Sequence, residues 1–210
     1  MHRAYWFMCV VCFLASSAFV NADPASPDSA ASGTPRACMQ KYLRSLEEEN
    51  QSALDACFDT RNQREEDLTN AYNGFQLAKR TLSHDVAKRF HASEQDMCDE
   101  VAHVSDEFIK KMLAAAEAGA EQIDGDKGTL TIAVEGQSET VSFVKQGGGW
   151  KLDLLDYFHW TVRPSEKTAG LSIDRSNRER ALVAKVSADV RSGSVASVKD
   201  AMSRVMEGME

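Results

Sequence analysis

The sequence predicts an α+β protein in which N-terminal helices pack on a small antiparallel sheet of three to four strands, with C-terminal amphipathic helices following. Three observations carry this prediction. Between Gly125 and Phe158, short alternating runs (GTLTIAVEG, QSETVSFVKQGGG, WKLDLLDYF) are separated by glycine-marked turns, the pattern of a meander. Before them, apolar residues recur at steps of three and four. After Pro164 the helical period returns. A sheet apolar on one face has to be covered, and the flanking helices are the available cover.

Met1-His2-Arg3 followed by the uncharged apolar run Ala4–Val20 and small residues at Val20-Asn21-Ala22 reads as a secretory signal peptide, residues 1–22, cleaved before Asp23. The rival is an uncleaved anchor, since the run is close to the roughly 17 residues that a span needs. Neither Cys9 nor Cys12 follows the pattern of a lipoprotein site. The expected location is therefore periplasmic or secreted. Residues 23–35, DPASPDSAASGTP, contain no large apolar side chain and are expected to be a disordered linker.

The helical part follows in order. Arg36 to Asp59 carries Met39, Tyr42, Leu43, Leu46, Leu54, Cys57 and Phe58 on one stripe, which Glu47-Glu48-Glu49-Asn50 interrupts as a point of bending. Thr60 with Gln63 resembles a capping box, opening a second helix through Leu68, Tyr72, Phe75 and Leu82, with Asn73-Gly74 a weak point inside it. A third helix starts near Ser93, presents Met97, Val101, Val104, Phe108 and Met112, and stops by Gly119.

In the sheet, Ala120–Ile123 reads as a first short strand. Leu130, Ile132 and Val134 alternate with Thr129, Thr131 and Ala133; Val141 and Phe143 flank Ser142; Trp150, Leu152 and Leu154 alternate with Lys151 and Asp153. Beyond, Ser176-Asn177-Arg178-Glu179 reads as a capping box that opens a helix through Leu182, Val183, Val186 and Val190, ended by Gly193. Val195, Val198, Met202, Val205 and Met209 define a last amphipathic helix, with Met206 adding to a soft methionine stripe. Residues 36–163 form the expected main domain and 164–210 a helical extension.

The composition excludes several function classes. Net charge is −8, and loss of Arg3 with the leader makes it more negative. An acidic surface repels phosphate backbones and anionic bilayers, so neither nucleic acid nor membrane embedding of the mature chain is expected. From Arg163 onward basic side chains slightly outnumber acidic ones, which favours docking of this tail on the acidic body. The mature chain keeps Cys38, Cys57 and Cys98, enough for one disulfide at most. On one straight helix Cys38 and Cys57 would stand about 28 Å apart, so a bridge is expected to involve Cys98. No cysteine–histidine cluster, phosphate loop or nucleophile constellation occurs, and neither metal nor cofactor is expected.

The run Gly125-Asp126, Thr129–Val134, Thr140–Lys145 and the closing Gly149-Trp150-Lys151-Leu152-Asp153-Leu154 resembles the nuclear transport factor 2-like superfamily. It is most similar to exported bacterial members that close with a Gly-x-Trp-Lys-aliphatic-Asp strand. The resemblance covers residues 120–156 and, loosely, 36–82. It implies a cone-shaped α+β fold with a pocket between a curved sheet and helices. Some members of that superfamily are isomerases, dehydratases or hydrolases, whereas many only bind or dimerise. No acid–base pair of the enzymes aligns residue by residue with this chain, so no catalytic residue is assigned.

The candidate ligand-binding residues are Tyr157, His159 and Trp160, in the aromatic run that follows the last strand; completing the core is their plainer role. Imidazole–carboxylate neighbours occur at His84-Asp85, at His91 and at His103 with Asp106, although adjacent helical residues point apart and an i,i+3 pair is common on surfaces. The sequence thus supports an exported non-catalytic binding or assembly domain, whose partner is a small molecule or protein or, in a homodimer, a second copy. Two alternatives stand beside it. One is a small-molecule isomerase or hydrolase drawing on His159, Asp153 or His91. The other is a helical adaptor with a β-hairpin.

Overall fold

The computed structural model describes residues 33–93, 104–157 and 166–209. The fold is α+β, with a four-stranded antiparallel sheet in the order β1-β2-β3-β4 and helices before and after it in sequence. Helix α1 spans Pro35–Glu47 and begins inside the expected linker boundary. Thr34 caps it by accepting from Ala37 N, and Pro35 takes the first helical position, where a missing N–H costs nothing.

The acidic interruption at Glu47–Asn50 is a full break. Glu49 adopts the left-handed region (φ 53°), and Asn50 caps a short new helix, α2, Gln51–Asp55. Asn62, two residues later than the sequence suggests, caps α3, Gln63–Phe90. Asn62 Oδ1 accepts from Glu65 N at 3.1 Å, and the Glu65 carboxylate accepts from Arg61 N at 2.8 Å, so the reciprocal logic of the box survives in a shifted frame. Gly74 does not weaken α3: a Cβ there would collide with the Arg180 guanidinium, so the glycine is a seat for a side chain from a later helix.

The expected third helix is not continuous. The chain is extended at Ser105, which accepts from Phe108 N at 3.1 Å and starts α4, Asp106–Ala118. The strands are β1 Ala120–Asp124, β2 Lys127–Val134, β3 Gln137–Gln146 and β4 Gly149–Leu152. The closing strand stops short of Leu154, which instead opens the one-turn helix α5, Leu154–Tyr157. Beyond β4 the sheet continues as an isolated parallel bridge: Leu152 N donates to Cys57 O at 2.8 Å and Asp59 N to Leu152 O at 2.9 Å. The segment after α2 thereby covers the β4 edge.

Helix α6, Glu166–Ser192, runs through the expected capping box. Glu179 pairs with Arg175 one turn earlier at 2.6 Å instead of reaching back to a cap. Gly193 ends the helix at φ 82°, as glycine at a helix end commonly does. The last helix, α7, is Val198–Met209, and Met206 points to solvent, outside the methionine stripe.

Two apolar cores result. The first joins α1, α2, α4 and the sheet, and takes Leu77 from α3. The second joins Leu82 and Val86 of α3 with Val183, Val186 and Val190 of α6 and Ala201, Met202 and Val205 of α7. Helices α3 and α6 run parallel: Gly74 lies against Arg180, Asp85 pairs with Arg191, and Gly193 lies near Arg89. The C-terminal helices therefore dock on the body of their own chain. Among the described residues, no helix is long and apolar enough to cross a membrane.

Candidate functional site

The cone resemblance directs attention to the sheet face that the helices cover. Register places Glu121 opposite Leu130, Ile132 opposite Glu139, and Phe143 opposite Leu152 on that face. Leu130, Ile132, Phe143, Trp150 and Leu152 are all buried there. Met39, Leu43 and Leu46 of α1, and Ile109 and Ala116 of α4, close over them in the same core. Gly128 makes the close approach possible, since a Cβ would meet Pro35 Cγ at 2.6 Å and Trp150 Cζ3 at 3.0 Å.

The two carboxylates of this face stand at its rim. Glu121 Oε1 accepts from Arg36 N at 2.7 Å, satisfying a donor that the first turn of α1 cannot satisfy itself, while Arg36 Nη2 donates to Gly119 O at 2.9 Å. Glu139 is half-buried, and burial pushes its carboxyl above the ordinary range.

The residues singled out from sequence are placed as follows. Tyr157 ends α5, immediately beyond β4. His159 and Trp160, with Phe158, lie outside the described residues, as do His103 and Cys98. Asp153 accepts weakly from Asp156 N at the start of α5 and lies 3.7 Å from the Arg61 guanidinium, just before α3 begins. His91 is the left-handed cap at the other end of α3. A helix of this length spans about 40 Å, so Asp153 and His91 cannot act on one substrate atom.

One constellation escapes sequence reasoning. His84 Nδ1 lies 3.0 Å from Glu49 Oε1, and His84 Nε2 lies 3.8 Å from Asp106 Oδ1. Thr81 Oγ1 donates to Glu49 Oε2 at 2.9 Å. Arg80, fully buried, donates to Val104 O and to Asp106 Oδ1, each at 2.6 Å. Asp85, the sequence neighbour of His84, turns away to Ser187 and Arg191 on α6. The break at Glu49 swings its carboxylate onto α3, and the start of α4 supplies Asp106. Neither partner could be inferred from spacing along α3.

A carboxylate-flanked imidazole has the makings of a general base, but this node lines neither of the clefts described below. Its evident work is to join the α1–α2 corner, α3 and the start of α4. Among the described residues, no group of three or more histidine, cysteine or acidic side chains could hold a metal ion.

Asp106 makes this node acid-sensitive. Burial pushes its carboxyl upward, but the hydrogen bond and charge of Arg80 outweigh that and hold it below the usual carboxylate range. A lowered folded-state value means that its contribution is present above the unfolded value of about 3.9 and is lost as pH falls through the lower, folded one. Asp106→Asn should cost about 1.5 kcal/mol near neutrality, the lower end for a bond to a charged group because the carboxylate is partly exposed. It should also flatten the acid limb of stability against pH. Urea titrations from pH 7 to 2 measure both, and an acid limb of unchanged steepness would contradict the assignment.

Two open clefts adjoin one another where α2, α3 and α6 meet. The first, about 440 Å³, is lined by Gln51, Ser52, Asp55, Asn70 and Arg180. The second, about 370 Å³, shares Asp55 and Asn70 and adds Thr60, Gln63, Glu66 and Asp67 among its lining. Asp55 takes Asn73 Nδ2 at 2.7 Å and Asn70 Nδ2 at 3.1 Å, and Arg180 Nη2 donates to Gln51 Oε1 at 2.9 Å. The lining is thus polar, with Asp55 bonded to the amides of Asn70 and Asn73 and Arg180 to that of Gln51, while the Thr69 hydroxyl, also in the lining, is buried without a hydrogen-bond partner among the described residues.

Compared with protein-family models, with curated proteins and with solved structures, the chain gives no match.

Proposed function

We propose that this chain is an exported, non-catalytic binding or assembly domain of the nuclear transport factor 2-like type, with a protein or polar small molecule as partner. The observation that carries this reading is the filling of the covered sheet face. Where a cone-fold enzyme needs an open pocket with a convergent acid–base pair, Leu130, Ile132, Phe143, Trp150 and Leu152 are packed under α1 and α4. Two open clefts lie around Asp55 and Asn70, lined by amide, hydroxyl and carboxylate side chains that suit hydrogen bonding to a partner. The helices-then-meander order and the Gly149–Leu152 closing strand support the family resemblance.

Native mass spectrometry of the chain isolated from its own source tests the binding reading. A co-purifying ligand, a stoichiometric partner or a stable second copy is the expected result, with Asn70→Ala or Asp55→Ala weakening the complex. Turnover of ester or ketone substrates that disappears in Asp153→Asn would replace the reading with an enzyme. Export has its own check. The mature chain is expected to begin at or near Asp23, and recovery of intact Met1 in a membrane fraction would establish an anchor instead.

A further inference from the structure

The break at Glu49 has brought two cysteines together that a straight helix would hold far apart. The chain leaves α1, turns through Glu48–Asn50, and carries Cys57 back against Cys38. Cys38 Sγ lies 3.8 Å from the Cys57 carbonyl oxygen, which accepts from its thiol. Both are buried in the first core, Cys57 with 1 % of its surface exposed, and both are free thiols. Cys57 Sγ also donates to Ala53 O at 3.2 Å, and its carbonyl accepts from Leu152 N at the bridge to β4. The expectation that a bridge involves Cys98 rested on a straight helix, which the break at Glu49 replaces; Cys98 itself lies outside the described residues.

We propose that Cys38 and Cys57 form a disulfide under oxidising conditions, a covalent clasp that fixes α1 to the α2–β4 junction. The pair differs in reactivity. The neighbouring Cys38 side chain favours the Cys57 thiolate, with Lys41 and Lys151 nearby adding to the effect, whereas Cys57 and burial keep Cys38 protonated. With a small-molecule disulfide such as oxidised glutathione as oxidant, the Cys57 thiolate attacks one sulfur and expels one glutathione thiolate. Cys38 then gives up its proton and its sulfur attacks Cys57 Sγ, expelling the second. Two protein thiols are oxidised by two electrons, the reagent is reduced to two thiols, and the protons end on the leaving groups. Because Cys57 is buried, the exchange takes place as the α1–α2 corner opens or before it closes on β4. The clasp does not depend on the binding role proposed above.

The experiment uses the full chain carrying Cys98→Ser, incubated with oxidised glutathione or with dithiothreitol and mapped by non-reducing peptide mass spectrometry. A Cys38–Cys57 linked peptide is expected in the oxidised sample. The melting temperature should rise by roughly 5–10 °C over the reduced form, the effect of closing a loop of this size in a chain of this length. The shift should vanish in Cys38→Ala, compared oxidised against reduced so that any packing loss cancels. Alkylation of both thiols after prolonged oxidation, also in mild urea that loosens the corner, would overturn the proposal. So would recovery of Cys57 only as a mixed disulfide with glutathione, or, in the parent chain with Cys98 present, a bridge from Cys98 to either residue.

Discussion

Replacing Trp150 by alanine should destabilise the protein by about 3–5 kcal/mol, the range for removing a large buried aromatic from a core. The indole is 8 % exposed, lies on the covered face of β4, and packs under Gly128 beside Pro35. Deleting it empties the space between the first turn of α1 and the sheet, and the backbone at Gly128 offers no side chain to refill it. Urea denaturation of the full chain should show the midpoint falling with little change in slope. A loss below about 1 kcal/mol would mean that the ring contributes almost nothing to the core, and Trp150 would then have to be reconsidered as a contact residue.

A chain ending at Arg175 should lose the second core outright. It would lack Val183, Val186, Val190, Val195, Met202 and Val205, and would leave Leu82 and Val86 facing water. Burial of each of those two side chains is worth about 1.5–3 kcal/mol, and the last turns of α3, beyond Leu82, would lose the apolar surface they rest on. An unsupported helix of that length is marginal in water. The shortened protein should lose helical circular dichroism beyond the deleted residues, bind hydrophobic dye and aggregate. If it stays soluble and monomeric with the melting behaviour of the parent, the tail contributes nothing to the body and its packing on α3 has been misjudged.

The sheet was the most legible part of the sequence. Thr129–Val134 and Val141–Phe143 alternate strictly, and a period of two admits one choice of buried face, so the register follows from the side chains themselves. Helix boundaries were less legible because several residues competed for each role. Thr60 and Asn62 can both cap, and the one followed by Glu65 at the right distance does. Ser176 sits in a sound capping sequence, yet packing of α6 along α3 carries the helix straight through it. The candidate site was the least legible. The partners of His84 come from the α1–α2 corner and from the start of α4, and the neighbour of Cys38 comes from beyond a left-handed residue at Glu49. A non-glycine residue in that conformation is uncommon, and the acidic run announced only an interruption, not its direction.

The bridge between Cys57 and Leu152 also sets a timetable for synthesis. Ala56 and Lys151, which meet beside it, are 95 residues apart. At about 5–20 residues per second, β4 leaves the ribosome roughly 5–20 s after α2. Until then Met39, Leu43 and Leu46 have no sheet to settle on, and the residues after α2 have no strand to pair with. The β2–β3 hairpin, whose contacts are local, can form before the N-terminal helices have anywhere to dock. The nascent chain therefore carries an uncovered apolar helix for almost half of its translation, and that interval is when a chaperone would be expected to hold it.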